Sequence, residues 1–279
     1  MNSRFSDPRF LHRAYGTSDA LTIRIRAQNQ FGLAGQNIFE ELTRTALSRR
    51  VPKRVLDVGA GTGAWHPWIR RYAGPDAYYV AVDQSPAMVS RLRDLLRDDS
   101  KAEAYLDNVN TRQSHGEPFD WVGMHYMLYH VDDIGAAIRS AWAQVRCGGM
   151  LLTATNGADS YREMSDLHRD AVRLAGLPYT EEARGNRFTL ANGAAFFPEM
   201  PTSHEYQGGL RFPTLETYLA YYGSGFCWTG IPTDLEVPAT RALLLEIMAD
   251  LVRPLIERTG YIQLSQSTGF FWLQKAENT

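Results

Sequence analysis

The stretch from residue 55 to 65, VLDVGAGTGAW, ends a hydrophobic run with three glycines at alternate positions. With no side chains at Gly59, Gly61 and Gly63, backbone N–H groups of such a turn can approach a ligand closely. Two chemistries share these letters. Gly59, Gly61 and Ala64 fit the GxGxxA turn of dinucleotide sites, with Asp83 roughly 20 residues on as a ribose acceptor. Asp57, just ahead of the first glycine, argues the other way, because a carboxylate there accepts from an ammonium group and repels a pyrophosphate. Asp83 follows the second β-rich run and reads as an acceptor for both ribose hydroxyls. Asp107 ends the third and reads as an acceptor for an adenine amine. Open α/β sheets bind ligands at successive strand ends, so the three acids together outline an adenosyl group joined to an amino acid. Taken singly, each Asp is equally a turn former or a helix cap.

Beyond the fourth β-rich run stand His125 and His130, next to where a transferred group would project, and a histidine there is a candidate general base. The bland reading is a hydrogen-bonded structural histidine, which is favoured for His130. Further on, Tyr221, Tyr222, Phe226 and Trp228 form an aromatic set that can stack on a substrate and attract a sulfonium, or simply fill a core. Tyr222 joins His125 as a catalytic candidate, and Tyr126, Tyr221, Phe226 and Trp228 are the substrate-binding candidates.

The elements that must hold these residues follow from periodicity. RVLDV (54–58), YYVAV (78–82), EAYLD (103–107), FDWVGM (119–124) and MLLTAT (150–155) are short β-rich runs separated by helical or turn segments. Their alternation with helices predicts a mostly parallel sheet. Ile38, Leu42 and Ala46 mark an amphipathic helix that ends near Pro52. Ser85 with Pro86 opens another helix, and Asp132 or Asp133 caps a third that runs from Ile134 through Val145 to a stop at Gly148 and Gly149. After residue 156 the rhythm changes: helices over 161–175 and 238–257 flank a Gly, Pro and aromatic-rich region. Residues 202–212 and 267–275 supply two more strands. The expectation is an α/β Rossmann-like fold, a mostly parallel seven-stranded sheet with helices on both faces and a helical, aromatic cap. Residues 1–50 read as a helical segment over the site, 51–156 as the binding core, and 157–279 as a substrate cap carrying the final strands.

Composition narrows the function. With 279 residues and 44% hydrophobic content the chain can build one large core. A net charge of -2 with scattered basic residues leaves no electrostatic footprint for a phosphate backbone, so no nucleic-acid partner is expected. Cys147 and Cys227 have no metal-site spacing, and no metal is expected. The amino terminus lacks a signal-like apolar run and no later run reaches about 20 apolar residues. A cytoplasmic monomer or homodimer that acts away from membranes is the expectation.

The glycine turn with its acids resembles the class I S-adenosylmethionine-dependent methyltransferases, over roughly residues 13–160. PFDWV, MLYHVDD and CGGMLLTATNG are similar to the later strands of the bacterial small-molecule group called methyltransferase type 11. Tyr15, Leu21, Arg24 and Phe31 resemble that group's amino-terminal segment, which folds over the cofactor. The resemblance implies that Tyr15, Arg24, Asp57, Gly59, Gly61, Gly63, Asp83, Gln84, Asp107, Asn108 and His125 line a site for S-adenosyl-L-methionine, with S-adenosyl-L-homocysteine as product. It also implies a small-molecule acceptor, a specialised metabolite methylated on O, N or C. Two other readings stay open at this point: a nicotinamide-dependent oxidoreductase, and an adenosyl-binding cyclase that transfers no methyl.

Overall fold

The structure is a computed structural model that describes residues 19–33, 37–109, 116–180 and 187–277. Tyr15 lies outside the described residues. Seven strands form one sheet: β1 (Arg54–Val58), β2 (Tyr78–Asp83), β3 (Ala102–Leu106), β4 (Phe119–His125), β5 (Val145–Asn156), β6 (Thr202–Phe212) and β7 (Ile262–Gln274). Their order is β3-β2-β1-β4-β5-β7-β6. The first five are parallel, whereas β7 runs antiparallel to both β5 and β6. Strands β1 and β4 are buried almost throughout, which is why they read as continuous apolar runs.

Eight helices surround the sheet among the described residues: α1 (Asp19–Phe31), α2 (Ile38–Leu47), α3 (His66–Tyr72), α4 (Pro86–Leu95), α5 (Ile134–Ala143), α6 (Arg162–Leu174), α7 (Leu215–Gly223) and α8 (Pro238–Thr259). Alternation along the strands sorts the core. Leu56, Val80, Val122 and Leu151 meet Ile134, Ile138 and Ala141 of α5 on one face. Val55, Tyr79, Trp121 and Leu152 meet Leu42, Ala46, Ile69 and Leu92 on the other. A third cluster joins Leu210, Phe212 and Leu264 of the β6–β7 arm to Ala27, Met164, Tyr218, Leu244 and Met248.

The helix starts are set by side chains. Asn37 accepts from the Phe39 and Glu40 amides, Ser85 from Met88, and Asp133, not Asp132, from Ala136. Beneath the sheet, Asp120 at the start of β4 is buried and accepts from Arg50 (3.0 Å), Arg146 (3.1 Å) and the Lys53 and Arg54 amides (2.8 and 2.9 Å). One carboxylate thereby ties α2, β1, β4 and β5 together.

Three expectations are corrected. Helix α5 ends at Ala143, and Val145 instead starts β5 opposite Phe119, because the chain turns back at Gln144 and Gly148 sits at φ 72° as an irregularity within the strand. Strand β7 begins at Ile262, five residues before the expected start, and pairs along the whole of β6. Helix α7 was not expected. Its buried face is made of Tyr218, Tyr221 and Tyr222, whose bulk and polarity hid the helical period, and Thr214 caps it. None of the described helices is long and apolar enough to cross a membrane.

Candidate functional site

A cavity of ≈ 1870 Å³ opens at the carboxyl ends of β1, β2, β4 and β5 and runs outward between α1 and α6. Ligand clefts usually measure about 300–1,000 Å³, so this one has room for two molecules at once.

At its inner end lies the glycine turn. Gly59 and Gly61 adopt φ 67° and 56°, a conformation that glycine reaches without a Cβ penalty. The Gly59 and Ala60 amides both donate to Val82, and the Gly61 amide donates to Asp83 Oδ2 at 2.9 Å. Asp83 Oδ1 accepts from the Ser85 amide at 2.8 Å, so this carboxylate locks the turn to the start of α4. Burial raises the Asp83 pKa, and these backbone bonds oppose the rise. Asp107, Asn108 and Gln84 meet beside it: the Asn108 amide donates to Asp107 Oδ1 (2.7 Å) and its side chain to Gln84 Oε1 (3.3 Å). Met88, Leu106 and Val109 give that corner an apolar lining suited to a flat ring.

Two expected residues lie behind the wall. Gly63 faces away from the cavity; a Cβ there would fall 2.5 Å from Leu95 and 3.1 Å from Leu92, so this glycine serves the packing of α4. Asp57 is 3% exposed beneath the turn and accepts from the Tyr79 hydroxyl at 2.6 Å. Burial pushes its pKa up to about 7, the Tyr79 bond holds it down, and the Asp83 charge adds to the rise.

His125 reaches the cavity edge, but its chemistry differs from the expectation. Its ring stands edge-on to Trp65 at 4.5 Å and to Phe39 at 5.5 Å, and neither nitrogen has a hydrogen-bond partner. Nε2 occupies the space that a Gly123 Cβ would need. Burial pulls its pKa down to about 3, so the imidazole is neutral and too weakly basic to hold an abstracted proton. Neither the surroundings nor the hydrogen bonding of the ring supports the expected general-base role. The other catalytic candidate is also corrected. Tyr222 is fully buried off the cavity wall, with its hydroxyl 2.7 Å from His168 Nδ1. Because His168 Nε2 lies 2.6 Å from the Thr229 carbonyl and must donate to it, Nδ1 accepts from Tyr222. Trp228 likewise packs into the cap cluster instead of lining the cavity.

The outer half gathers residues from distant parts of the chain. Tyr126, Tyr221 and Phe226 face it, with the Tyr221 and Phe226 rings stacked at 5.2 Å, and so does Arg24, whose expected place was against the cofactor. Others had not been foreseen. Gln28 donates to the Tyr161 hydroxyl at 2.6 Å, and Tyr161 lies edge-on to Phe226 at 5.8 Å. Asn156, Gln266 and Thr268 supply a polar rim where β5 and β7 pair. Gln28 was detectable, since it follows Arg24 by one helical turn on the same face. Tyr161, Gln266 and Thr268 carry no local motif.

Strand order, the antiparallel β7 and the ligand cleft at the parallel strand ends define the class, a Rossmann-like methyltransferase fold. Residues 29–193, more than half of the chain, match the family described as Methyltransferase domain. The chain belongs to that family and is a class I S-adenosylmethionine-dependent methyltransferase. This sets aside the nicotinamide alternative. The chain is 26% identical to the ubiquinone/menaquinone biosynthesis C-methyltransferase UbiE of Pectobacterium atrosepticum, over 62% of this chain and 70% of that protein. Among solved structures it resembles a phosphoethanolamine N-methyltransferase 2 of Haemonchus contortus in complex with phosphomonomethylethanolamine and S-adenosylhomocysteine. That likeness has a TM-score of 0.57 at 13% identity and covers 98% of this chain and 60% of the other. It also resembles the [4+2]-cyclase SpnF, with a TM-score of 0.52 at 15% identity over 94% of each chain. At these identities the structures speak for the fold.

Proposed function

We propose that this chain is a cytoplasmic enzyme that methylates a small molecule, a specialised metabolite, bound between the sheet and the cap. The observation that carries the reading is one continuous cavity, which joins the glycine turn to the aromatic cap wall and exceeds the volume of one ligand.

The inner half fits S-adenosyl-L-methionine. Gly59 and Gly61 leave a cradle that side chains would crowd, and Asp83, which accepts from the Gly61, Ser85 and Gln84 amides, keeps acceptor capacity for the ribose. Asp107, Asn108 and Gln84 border the apolar corner proposed for adenine, and Arg24 and the segment before residue 50 cover the cofactor. Asp57 acts from beneath the turn by setting the local charge. Once bound, the cofactor supplies an electrophilic methyl on a sulfonium. The outer half, from Tyr126 to Tyr221 and Phe226, holds the acceptor within residues 157–279 and the strand ends. Alignment of two bound reactants contributes about 7–11 kcal/mol to such a displacement, and a general base contributes less, about 10²–10⁴ in rate. The neutral His125 is therefore no obstacle to O-, N- or C-methylation.

Equilibrium dialysis with radiolabelled S-adenosylmethionine tests the reading, followed by a search for S-adenosylhomocysteine with a panel of phenols, amines and activated carbons. Saturable binding and product are expected. Absence of binding at millimolar cofactor would sink it, and binding without transfer to any acceptor would favour the adenosyl-binding cyclase.

A further inference from the structure

Among the described residues two that are not glycine have left-handed backbone, Tyr126 at φ 53° and Tyr161 at φ 62°, and both line the cavity. Such a conformation is unfavourable for an aromatic residue and persists where the surroundings over-determine it. Tyr126 follows directly on β4 and is pinned by its amide, which donates to the Ala154 carbonyl at 2.8 Å. Its side chain is pinned as well. The phenol oxygen lies 2.7 Å from Thr268 Oγ1, and Thr268 Oγ1 donates to the Thr155 carbonyl at 3.3 Å.

The Thr155 carbonyl can only accept, and that favours one direction for the relay. A hydroxyl carries one proton. Thr268 spends its proton on Thr155, so the Tyr126 phenol donates to Thr268 and turns its lone pairs to other partners. The relay ends on a carbonyl, which takes no proton onward, and burial pushes the phenol up to about 12. Tyr126 is thereby an acceptor that cannot act as a base. Tyr161 is arranged differently: Gln28 Nε2 donates to it, and its hydroxyl is also hydrogen-bonded to Tyr221.

Building on the small-molecule methyltransferase reading above, we propose that Tyr126 accepts a hydrogen bond from the nucleophile of the methyl acceptor and that Thr268 is its positioning residue. The site then selects an acceptor whose nucleophile arrives protonated, an uncharged O–H or N–H group, in preference to its anion. Methylation forms the new C–O or C–N bond as the C–S bond breaks, and the nucleophile's proton leaves through water in the cavity.

A chromogenic phenol reads this selection directly. The protein saturated with S-adenosylhomocysteine is titrated with 4-nitrophenol across pH, and phenolate absorbance gives the pKa of the bound probe. In the wild type that pKa is expected above the value of the free probe. Thr268→Ser keeps the relay and leaves it unchanged. Thr268→Val frees the Tyr126 proton to donate to the phenolate, which lowers the bound pKa by about one unit. In a Tyr126→Phe background Thr268→Val then has no further effect. The other ionisable groups of the wall, Arg24, His125, Tyr161, Tyr206 and Tyr221 among them, are the same in every variant. A bound pKa in Thr268→Val equal to or above the wild-type value would overturn the proposal, as would an undiminished shift in the Tyr126→Phe background. Failure of S-adenosylhomocysteine to bind the wild type would instead strike the methyltransferase reading, while binding with an unmoved probe strikes this inference alone.

Discussion

The inner and outer halves of the cavity are built by different means. In the inner half, three consecutive strands each deliver their groups at their own carboxyl ends, and the contacts are backbone to carboxylate, such as Gly61 to Asp83 across 22 residues. In the outer half the contacts are side chain to side chain and bridge far longer stretches, 133 residues between Gln28 and Tyr161 and 142 between Tyr126 and Thr268. The inner half is thus fixed by sheet register. The outer half depends on how the cap packs, and its chemistry can change without disturbing the strands.

If that contrast holds, the strongest responses should come from the carboxylates buried around the sheet. For Asp57 the folded-state pKa of about 7 stands above the unfolded value near 3.8, so the native state binds more protons between those limits. This group's contribution to stability therefore falls as pH rises from about 4 to about 7 and is level above. At roughly 1.4 kcal/mol per pKa unit the loss is about 4 kcal/mol. Asp57→Asn keeps an acceptor for Tyr79 and is expected to remove that slope. Urea unfolding at pH 4.5 and 7.5 measures it, and identical slopes in the two proteins would show that Asp57 stays ionised throughout. The Asp120→Ala substitution comes next. It strips four hydrogen bonds from the junction of α2, β1, β4 and β5. The expected destabilisation is about 3 kcal/mol, at the low end for a broken buried ion pair because both arginines reach solvent. A loss under about 1 kcal/mol by the same measurement would mean that packing alone sets the register.

The same contrast explains what could be read in advance. Gly59, Asp83, Asp107 and the capping Ser85 stand at the end of a strand or in the turn that follows it, so their spacing carries their place in the fold. Strands β1, β2, β4 and β6 were legible to within a residue or so at each end for a similar reason: their runs are bounded by local turn signals. Tyr222 and Tyr221 show where legibility stops. They are adjacent residues of one helix and chemically identical, yet one donates to a buried histidine while its neighbour faces the cavity. That division is decided by the position of His168 on α6, some 50 residues away in sequence, and nothing local encodes it. Gly63 misled in the opposite direction, because a motif glycine and a packing glycine look the same until Leu92 and Leu95 are seen against it.

Asp83→Asn probes the inner half. The remaining oxygen can keep one of the bonds from the Gly61 and Ser85 amides, the amide nitrogen cannot accept the other, and the acceptor proposed for the ribose loses its charge. Hydrogen bonds to charged groups are worth about 1.5–3 kcal/mol, which corresponds to a rise of roughly 10- to 150-fold in the Kd for S-adenosylhomocysteine. Calorimetric titration checks this. An unchanged Kd would remove Asp83 from the cofactor site and leave it as the clasp between the glycine turn and α4.

The smallest effect is expected in the cap, and it separates structure from recognition most cleanly. Tyr222→Phe deletes the hydroxyl that donates to His168 Nδ1 and leaves the ring in its fully buried position. One buried hydrogen bond is lost and an imidazole nitrogen loses its donor, at a cost of about 1–2 kcal/mol in stability. Because the hydroxyl does not reach the cavity, affinity for S-adenosylhomocysteine and turnover with any acceptor found should stay at the wild-type level. Tyr221→Phe should differ in its effect on the acceptor: it loses buried hydrogen bonds to Tyr161 and Gln28 at a similar cost in unfolding, and it also raises the acceptor KM, since that phenol stands on the cavity wall within the field of Arg24. If both substitutions altered KM alike, the cap would be one coupled network, and the division drawn here between its core and its cavity wall would fail.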